Sequence, residues 1–462
     1  MILEQMYTKC LAQGAYFISS QREAIIIDPL REVQPYLDLA KDHDSTIKYV
    51  FLTHFHADFV SGQVDLAKAT GATVILGPNA KAAYDYHGAK DGEVFEVGTL
   101  QIEVIHTPGH TMESTCYLLR DEAGKEQALF TGDTLFIGDV GRPDLAAKSN
   151  LTKEDLAGHL YDSLHNRIMP LSDDIIVYPA HGAGSACGKN MSSQTSDTLG
   201  NQKETNYAFK LHKEDFIKEL VTGLSAPPSY FPENVAMNKR VNTDFDTIIE
   251  RGTTPFSVSA FEALALQEDV LVLDTRSVSA FAKASLPGAW FIGLSGQFAP
   301  WVGAVVKDIN QKIIVIAEEG KEEEVATRLS RVGYDHSLGY LKGGVEAWIS
   351  EGKEVVETQE VTAQEFIDGL SNGSIAYPVD VHKDGEFATS HIDGITHMSL
   401  DEVHINSKDL DPSRTYHVHC AGGYRSLIYA SIVRSQGINM VNVLGGYGAI
   451  KKTELGTIKL TE

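Results

Sequence analysis

Four strand-like runs of this sequence finish in histidine or aspartate. Tyr49-Val50-Phe51-Leu52 leads into Thr53-His54-Phe55-His56-Ala57-Asp58-Phe59. His110 lies in Thr107-Pro108-Gly109-His110-Thr111, Asp133 in Phe130-Thr131-Gly132-Asp133-Thr134, and His181 in Tyr178-Pro179-Ala180-His181-Gly182. Imidazole and carboxylate are common donors to transition metals, and alternate positions at a strand end can turn several of them toward one ion. A second chemistry sits near the other end. The run Tyr416-His417-Val418-His419 passes directly into Cys420-Ala421-Gly422-Gly423-Tyr424-Arg425-Ser426, and an apolar helix is predicted to continue over 427–436. A cysteine there, followed by two glycines and a helix start, faces a cradle of backbone N–H groups. Such a cradle favours the thiolate and stabilises an anion on or beside its sulfur.

These residues need strands that end together and helices that cover them. Short apolar runs at 24–27, 49–52, 73–76 and 101–106 read as strands, and 35–41 and 64–70 as helices. Pro35 fits the first turn of its helix, where its missing N–H is not needed. Between Asp133 and His181 lies Gly138-Asp139-Val140-Gly141-Arg142-Pro143-Asp144. Its arginine is a candidate anion clamp, or else the partner of Asp144 or Asp139. The polar stretch 182–206 carries Cys187 and is placed to build a substrate pocket after His181. Residues 207–221 read as one helix, 225–232 as a proline-rich break, and 235–247 as still packed on the first domain. From about residue 250 the chain repeats itself at an offset of about 102–106 residues. Val270-Leu271-Val272-Leu273-Asp274 matches Tyr377-Pro378-Val379-Asp380, and Leu341-Lys342-Gly343-Gly344 matches Val443-Leu444-Gly445-Gly446. Each copy reads as a small α/β unit with parallel strands.

A chain of 462 residues with a formal net charge of −24 has room for two to four domains, and its charge argues against nucleic acid and anionic membrane surfaces as partners. The four cysteines, Cys10, Cys116, Cys187 and Cys420, show no paired spacing, so reduced thiols are expected. No apolar run approaches the length of a membrane span, and the start lacks a basic segment followed by an apolar one. A cytoplasmic location is the expectation.

The ordered set HxHxD, PGHT, GD and PAHG resembles the metallo-β-lactamase superfamily. That resemblance implies an αββα sandwich with metal at the sheet edges. The usual motif is HxHxDH, and here Phe59 stands in the last position. Phenylalanine cannot ligate, so the expectation is one metal held by two histidines and one carboxylate. That facial set suits non-haem iron(II) and oxygen chemistry more than hydrolysis. The persulfide dioxygenase branch implies His54, His110 and Asp133 as ligands, with His56, Asp58 and His181 behind them or in reserve. It also implies Arg142 near the metal and Asp28 in support of the metal loop; Cys187, in the polar loop, is a candidate thiol to carry or capture sulfane sulfur. The Cys420 loop resembles that of a rhodanese, with Cys420 as persulfide carrier, Arg425 as anion contact, and Gly422 and Gly423 forming the cradle. In the first copy Ala317 and Glu322 replace Cys420 and Arg425, so that copy is expected to lack catalysis.

The resemblance covers the whole chain: a dioxygenase domain over 1–250, a degenerate rhodanese over 251–356 and an active one over 357–462. It implies one Fe(II) per chain, and oxidation of a small thiol persulfide by O2 to sulfite and thiol. It also implies a sulfurtransferase that interconverts sulfite plus persulfide and thiosulfate, as in sulfide detoxification, and a homodimer or tetramer. Three alternatives stand beside it: a thioester hydrolase of the glyoxalase II type fused to a sulfurtransferase, a sulfur-trafficking module whose metal is structural, and phosphatase chemistry at Cys420. Against the last, Cys-x4-Arg is one residue shorter than the phosphatase loop.

Overall fold

The computed structural model describes every residue except 148, 149, 225 and 462; the first residue of the proline-rich break, Ser225, therefore lies outside the described residues. The described chain divides into two compact units, one of residues 1–245 with 330–333 and one of the remainder.

The first unit is built on two six-stranded sheets. One runs in spatial order through β1 (Ile2–Thr8), β2 (Gln13–Ser20), β3 (Glu23–Ile27), β4 (Thr46–Leu52), β5 (Thr73–Leu76) and β6 (His87–Gly88). The other runs from β7 (Val94–Val97) through β8 (Leu100–His106), β9 (Thr115–Arg120), β10 (Glu126–Gly132) and β11 (Ile176–Pro179) to β12 (Asp197–Thr198). Tyr16, Ile18, Ile25, Ile27 and Phe51 of the first sheet share one buried cluster with Ile102, Val104, Tyr117, Leu119 and Phe130 of the second. Each such side chain contributes about 1.5–3 kcal/mol on burial, so this layer decides where the strand ends fall. The outer face of the first sheet packs with Tyr36 and Ala40 from helix Gln34–Asp42 and Leu66 from helix Gln63–Thr70. Ala157 and Leu160 of helix Lys153–Ser163 cover the second. The αββα sandwich expected from the motifs is present.

Two predicted helices differ in detail. The segment 207–221 divides into Tyr207–Lys210 and Lys213–Val221, because Leu211 is extended and Glu214 and Asp215 favour a new N-terminus after it. Phe231 and Pro232, read as part of a break, open helix Phe231–Asn238, with the proline in its first turn.

The second unit holds two five-stranded parallel sheets of one topology. The first is ordered β13 (Pro255–Phe256), β17 (Ser337–Leu341), β16 (Lys312–Ile316), β14 (Val270–Asp274), β15 (Trp290–Phe291). The second is ordered β18 (Gln359–Val361), β22 (Asn439–Val443), β21 (Thr415–His419), β19 (Pro378–Asp380), β20 (Thr396–His397). Register fixes the equivalence. Asp274 pairs with Ile316, and Asp380 pairs with His419. Ala317 therefore stands where Cys420 stands, as the repeat implied. No helix among the described residues is long and apolar enough to cross a membrane.

Candidate metal centre and sulfur-transfer loop

His54, His110 and Asp133 meet at the sheet ends of the first unit, each buried, with one donor atom of each within 4.8 Å of the others. His110 Nε2 is 3.5 Å and His54 Nε2 3.8 Å from Asp133 Oδ2. Their outer nitrogens are held. His110 Nδ1 donates to the Arg142 carbonyl at 2.8 Å, which leaves Nε2 as the free lone pair. His54 Nδ1 lies 3.0 Å from Thr53 Oγ1, and that hydroxyl donates to Asp28 Oδ2 at 2.8 Å. Burial, then the neighbouring His56, His110 and His181, push the His54 pKa well below its ordinary value, so it stands as a neutral donor. Both Asp133 oxygens and His181 Nε2 are buried with no hydrogen-bond partner. Orphaned acceptors around one point are what a cation would satisfy, and two imidazoles with a carboxylate fit iron(II).

His56, Asp58 and His181 form a second set beside the first, again within 4.8 Å. His181 Nε2 is 3.4 Å from Asp58 Oδ2 and 3.6 Å from Asp133 Oδ1. His56 Nε2 points to Asp28 Oδ1 at 3.0 Å, and its ring stacks on Phe59 at 4.3 Å. Burial opposes its protonation, but the carboxylates of Asp28, Asp58 and Asp133 outweigh burial and raise its pKa. Asp28 has a left-handed φ of 52° and also accepts from the Thr53 amide at 2.8 Å, which is the support expected of it.

Arg142 is buried, and Nε and Nη2 each reach an Asp144 oxygen at 2.7 Å. The clamp expected of its side chain is thus closed on Asp144, and its link to the metal side is the carbonyl that holds His110. Its amide in turn donates to the Cys187 carbonyl at 3.0 Å. Cys187 is buried with its sulfur near Asp133 and His181. Burial, with the Asp58 and Asp133 carboxylates, pushes its thiol well above the ordinary range. Asp139 pins this loop by accepting from the Lys189 and Asn190 amides at 2.7 and 2.6 Å.

The residue missed in the sequence is Asn238. Wholly buried, it donates to the carbonyls of His56 and Phe59, both at 2.8 Å, and accepts from the Ser61 amide at 2.8 Å. Asn238→Ala leaves three buried backbone groups unpaired. It is expected to lower stability by about 2–4 kcal/mol and metal affinity by about 10–100-fold. Denaturant unfolding and metal titration read the two effects separately.

In the second unit the Gly423 amide donates to Cys420 Sγ at 3.1 Å, with Gly423 at φ 94° capping helix Tyr424–Arg434. The helix therefore starts directly after the two glycines, at Tyr424, and ends at Arg434, two residues short of the predicted 436. Gly446 lets the next turn come close, since a Cβ there would lie 2.2 Å from the Cys420 carbonyl. Gln297, Trp301, Lys383, Glu386, Cys420, Gly422, Tyr424 and Arg425 line a cavity of about 300 Å³. Trp301 comes from the first repeat, and Lys383 Nζ lies 5.5 Å from its ring centre. Arg425 is held by Glu386 through both nitrogens, Nη2 at 2.9 Å. Burial alone would raise the Glu386 pKa, but Arg425 outweighs it and holds the carboxyl below its ordinary value. Glu386→Gln frees the guanidinium and removes a negative charge. The KM for thiosulfate or sulfite is expected to fall about three- to tenfold; an unchanged or higher KM in steady-state transfer assays would count against Arg425 as the anion contact.

Comparison with known proteins bears on both regions. The metallo-beta-lactamase superfamily model matches residues 9–181, and the rhodanese-like domain model matches 257–351 and 362–453. A solved metallo-beta-lactamase from Staphylococcus aureus subsp. aureus COL is 30% identical with a TM-score of 0.66, over 74% of this chain and 98% of that one. The chain belongs to the metallo-β-lactamase superfamily, as a fusion with two rhodanese-like domains. The human mitochondrial persulfide dioxygenase ETHE1 is 28% identical over 252 residues, 54% of this chain and 91% of that protein. A probable hydroxyacylglutathione hydrolase of Schizosaccharomyces pombe is 30% identical over 173 residues, 36% of this chain and 62% of that protein.

Proposed function

We propose that the protein oxidises a low-molecular-weight thiol persulfide with O2 at His54, His110 and Asp133, and moves sulfane sulfur through Cys420. The three working regions would be 1–250, 251–356 without catalysis, and 357–462. The observation that carries the reading is the convergence of two buried imidazoles and an unpaired carboxylate in a chain that also holds a cradled cysteine. Iron(II) held there would supply open positions for sulfur and oxygen and a source of electrons.

The chain's own part is positional. The Arg142 carbonyl and the Asp28–Thr53 pair aim the imidazoles, burial limits bulk water beyond the one molecule the reaction consumes, and Cys187 lines the chamber. The balance is RSSH + O2 + H2O → RSH + SO3²⁻ + 2H⁺. At the second site the Cys420 sulfur attacks the terminal sulfur of a second RSSH, RSH leaves, and sulfite takes the sulfur from Cys420 as thiosulfate. The Gly423 amide and Arg425 face the charge that develops. Oxygen uptake by iron-loaded protein given a thiol persulfide, with sulfite and thiosulfate quantified, tests the reading. No uptake with any thiol carrier would end it.

The second reading is a thioester hydrolase of the glyoxalase II type. It is favoured by the His56, Asp58 and His181 set, which leaves donors for another ion, and by the hydrolase relatives. Hydrolysis of a glutathione thioester by protein holding two ions in its first unit would select it.

A further inference from the structure

The two rhodanese-like copies differ at one buried carboxylate. In the first, Asp274 ends β14 fully buried, and Arg276 grips it: Nε lies 3.0 and 3.2 Å from its two oxygens and Nη2 2.7 Å from Oδ2. A guanidinium is always charged, so this carboxylate always has its cation. In the second copy the register places Asp380 at the same point. Two residues on, His382 replaces Arg276, and the last residue of β21 is His419 where β16 has Ile316.

The result is two imidazoles and a carboxylate facing one another out of water. Asp380 and His419 are 0% exposed and His382 3%. One donor atom of each lies within 4.8 Å of the others. His382 Nδ1 is 2.8 Å from Asp380 Oδ1, and His419 Nε2 is 3.9 Å from Asp380 Oδ2. Asp380 Oδ2 and both ring nitrogens of His419 have no hydrogen-bond partner, while Asp380 Oδ1 also accepts from the His382 amide at 2.9 Å. A buried carboxylate that has lost its guanidinium needs another cation. Zinc ligands at about 2.0–2.2 Å stand roughly 3.3–3.5 Å apart in a tetrahedron, and three donor atoms within 4.8 Å of one another can close on that spacing.

We propose that Asp380, His382 and His419 hold a divalent transition-metal ion of the zinc class, at a site separate from His54, His110 and Asp133. None of the three lines the cavity around Cys420. The ion would take the place of the Arg276 guanidinium and tie the ends of β19 and β21 together one residue before Cys420. These are positioning residues; sulfur transfer does not pass through them.

The test uses the full chain with Asp133→Asn, so that the first site is disabled in every sample. After stripping with a chelator, it is dialysed against Zn²⁺ and, in parallel, titrated with Co²⁺ under anaerobic conditions. The comparison is the same protein with His382→Arg and His419→Ile added. Those changes restore the arrangement of the first copy, in which the fold already tolerates them. Expected is a loss of about one equivalent of bound metal per chain and of the matching Co²⁺ visible bands. His419→Ala alone gives the same loss if the double change misfolds, with circular dichroism as the control. Equal metal content with and without these substitutions overturns the proposal. So does the absence of metal from the Asp133→Asn parent.

Discussion

Protein carrying Asp133→Asn is expected to take up no oxygen above background when given a thiol persulfide, and to bind iron at least about 100-fold more weakly than wild type. The side chain keeps its shape and loses its charge. Asp133 lies within 4 Å of His54, His110 and His181, and neither carboxylate oxygen has a hydrogen-bond partner of its own. The role proposed for it is thus electrostatic and ligating, and structural support comes from elsewhere. For that reason the metal-free variant should unfold at or above the temperature of metal-free wild type, because a buried unpaired charge has been removed. Calorimetry of the stripped proteins, beside an oxygen electrode on the loaded ones, reads both halves. A variant that binds iron normally, or one that loses stability when stripped, would contradict the assignment.

Cys420→Ser should separate the two activities. Thiosulfate formation is expected to fall to background, about 1,000-fold or more, since a serine oxygen cannot carry sulfane sulfur as a persulfide. Oxygen uptake should stay at the wild-type rate, and sulfite should accumulate in place of thiosulfate. The substitution is mild for the fold: Ser accepts the Gly423 amide much as Sγ does, and the turn at Gly446 packs on the Cys420 backbone. Undiminished thiosulfate formation would move sulfur transfer away from this loop. Loss of oxygen uptake in the same variant would show that the two chemistries are not independent.

Much of this was readable from local pattern, and what was not has a common physical cause. His54, His110, Asp133 and His181 each follow an apolar run, so strand ends alone bring them to one place. Cys420 and Gly423 were legible because loop, glycine and helix are contiguous. Arg142 was half legible: it does lie beside His110, but Asp144, two residues away, takes its side chain. Phe59 offers no donor atom, and what it does instead, stacking on His56, shows only in the fold. Asn238 gave no signal, since its partners are backbone carbonyls and an amide whose own residue types are irrelevant. The group of Asp380, His382 and His419 was hidden because each residue alone reads as an ordinary strand end. Only the register of β19 against β21 places them together.

The Asn238 clamp also sets an order of assembly. Its hydrogen bonds span 177–182 residues of chain. The stretch that aligns with the superfamily ends at residue 181, well before the clamp is made. During synthesis every candidate metal ligand of the first unit is therefore available before the loop that carries two histidines has its fastener. Contacts of such sequence separation form late and slowly. The donors are complete early, but a rigid chamber waits for helix Phe231–Asn238, so the timing of metal capture is tied to a segment that supplies no ligand.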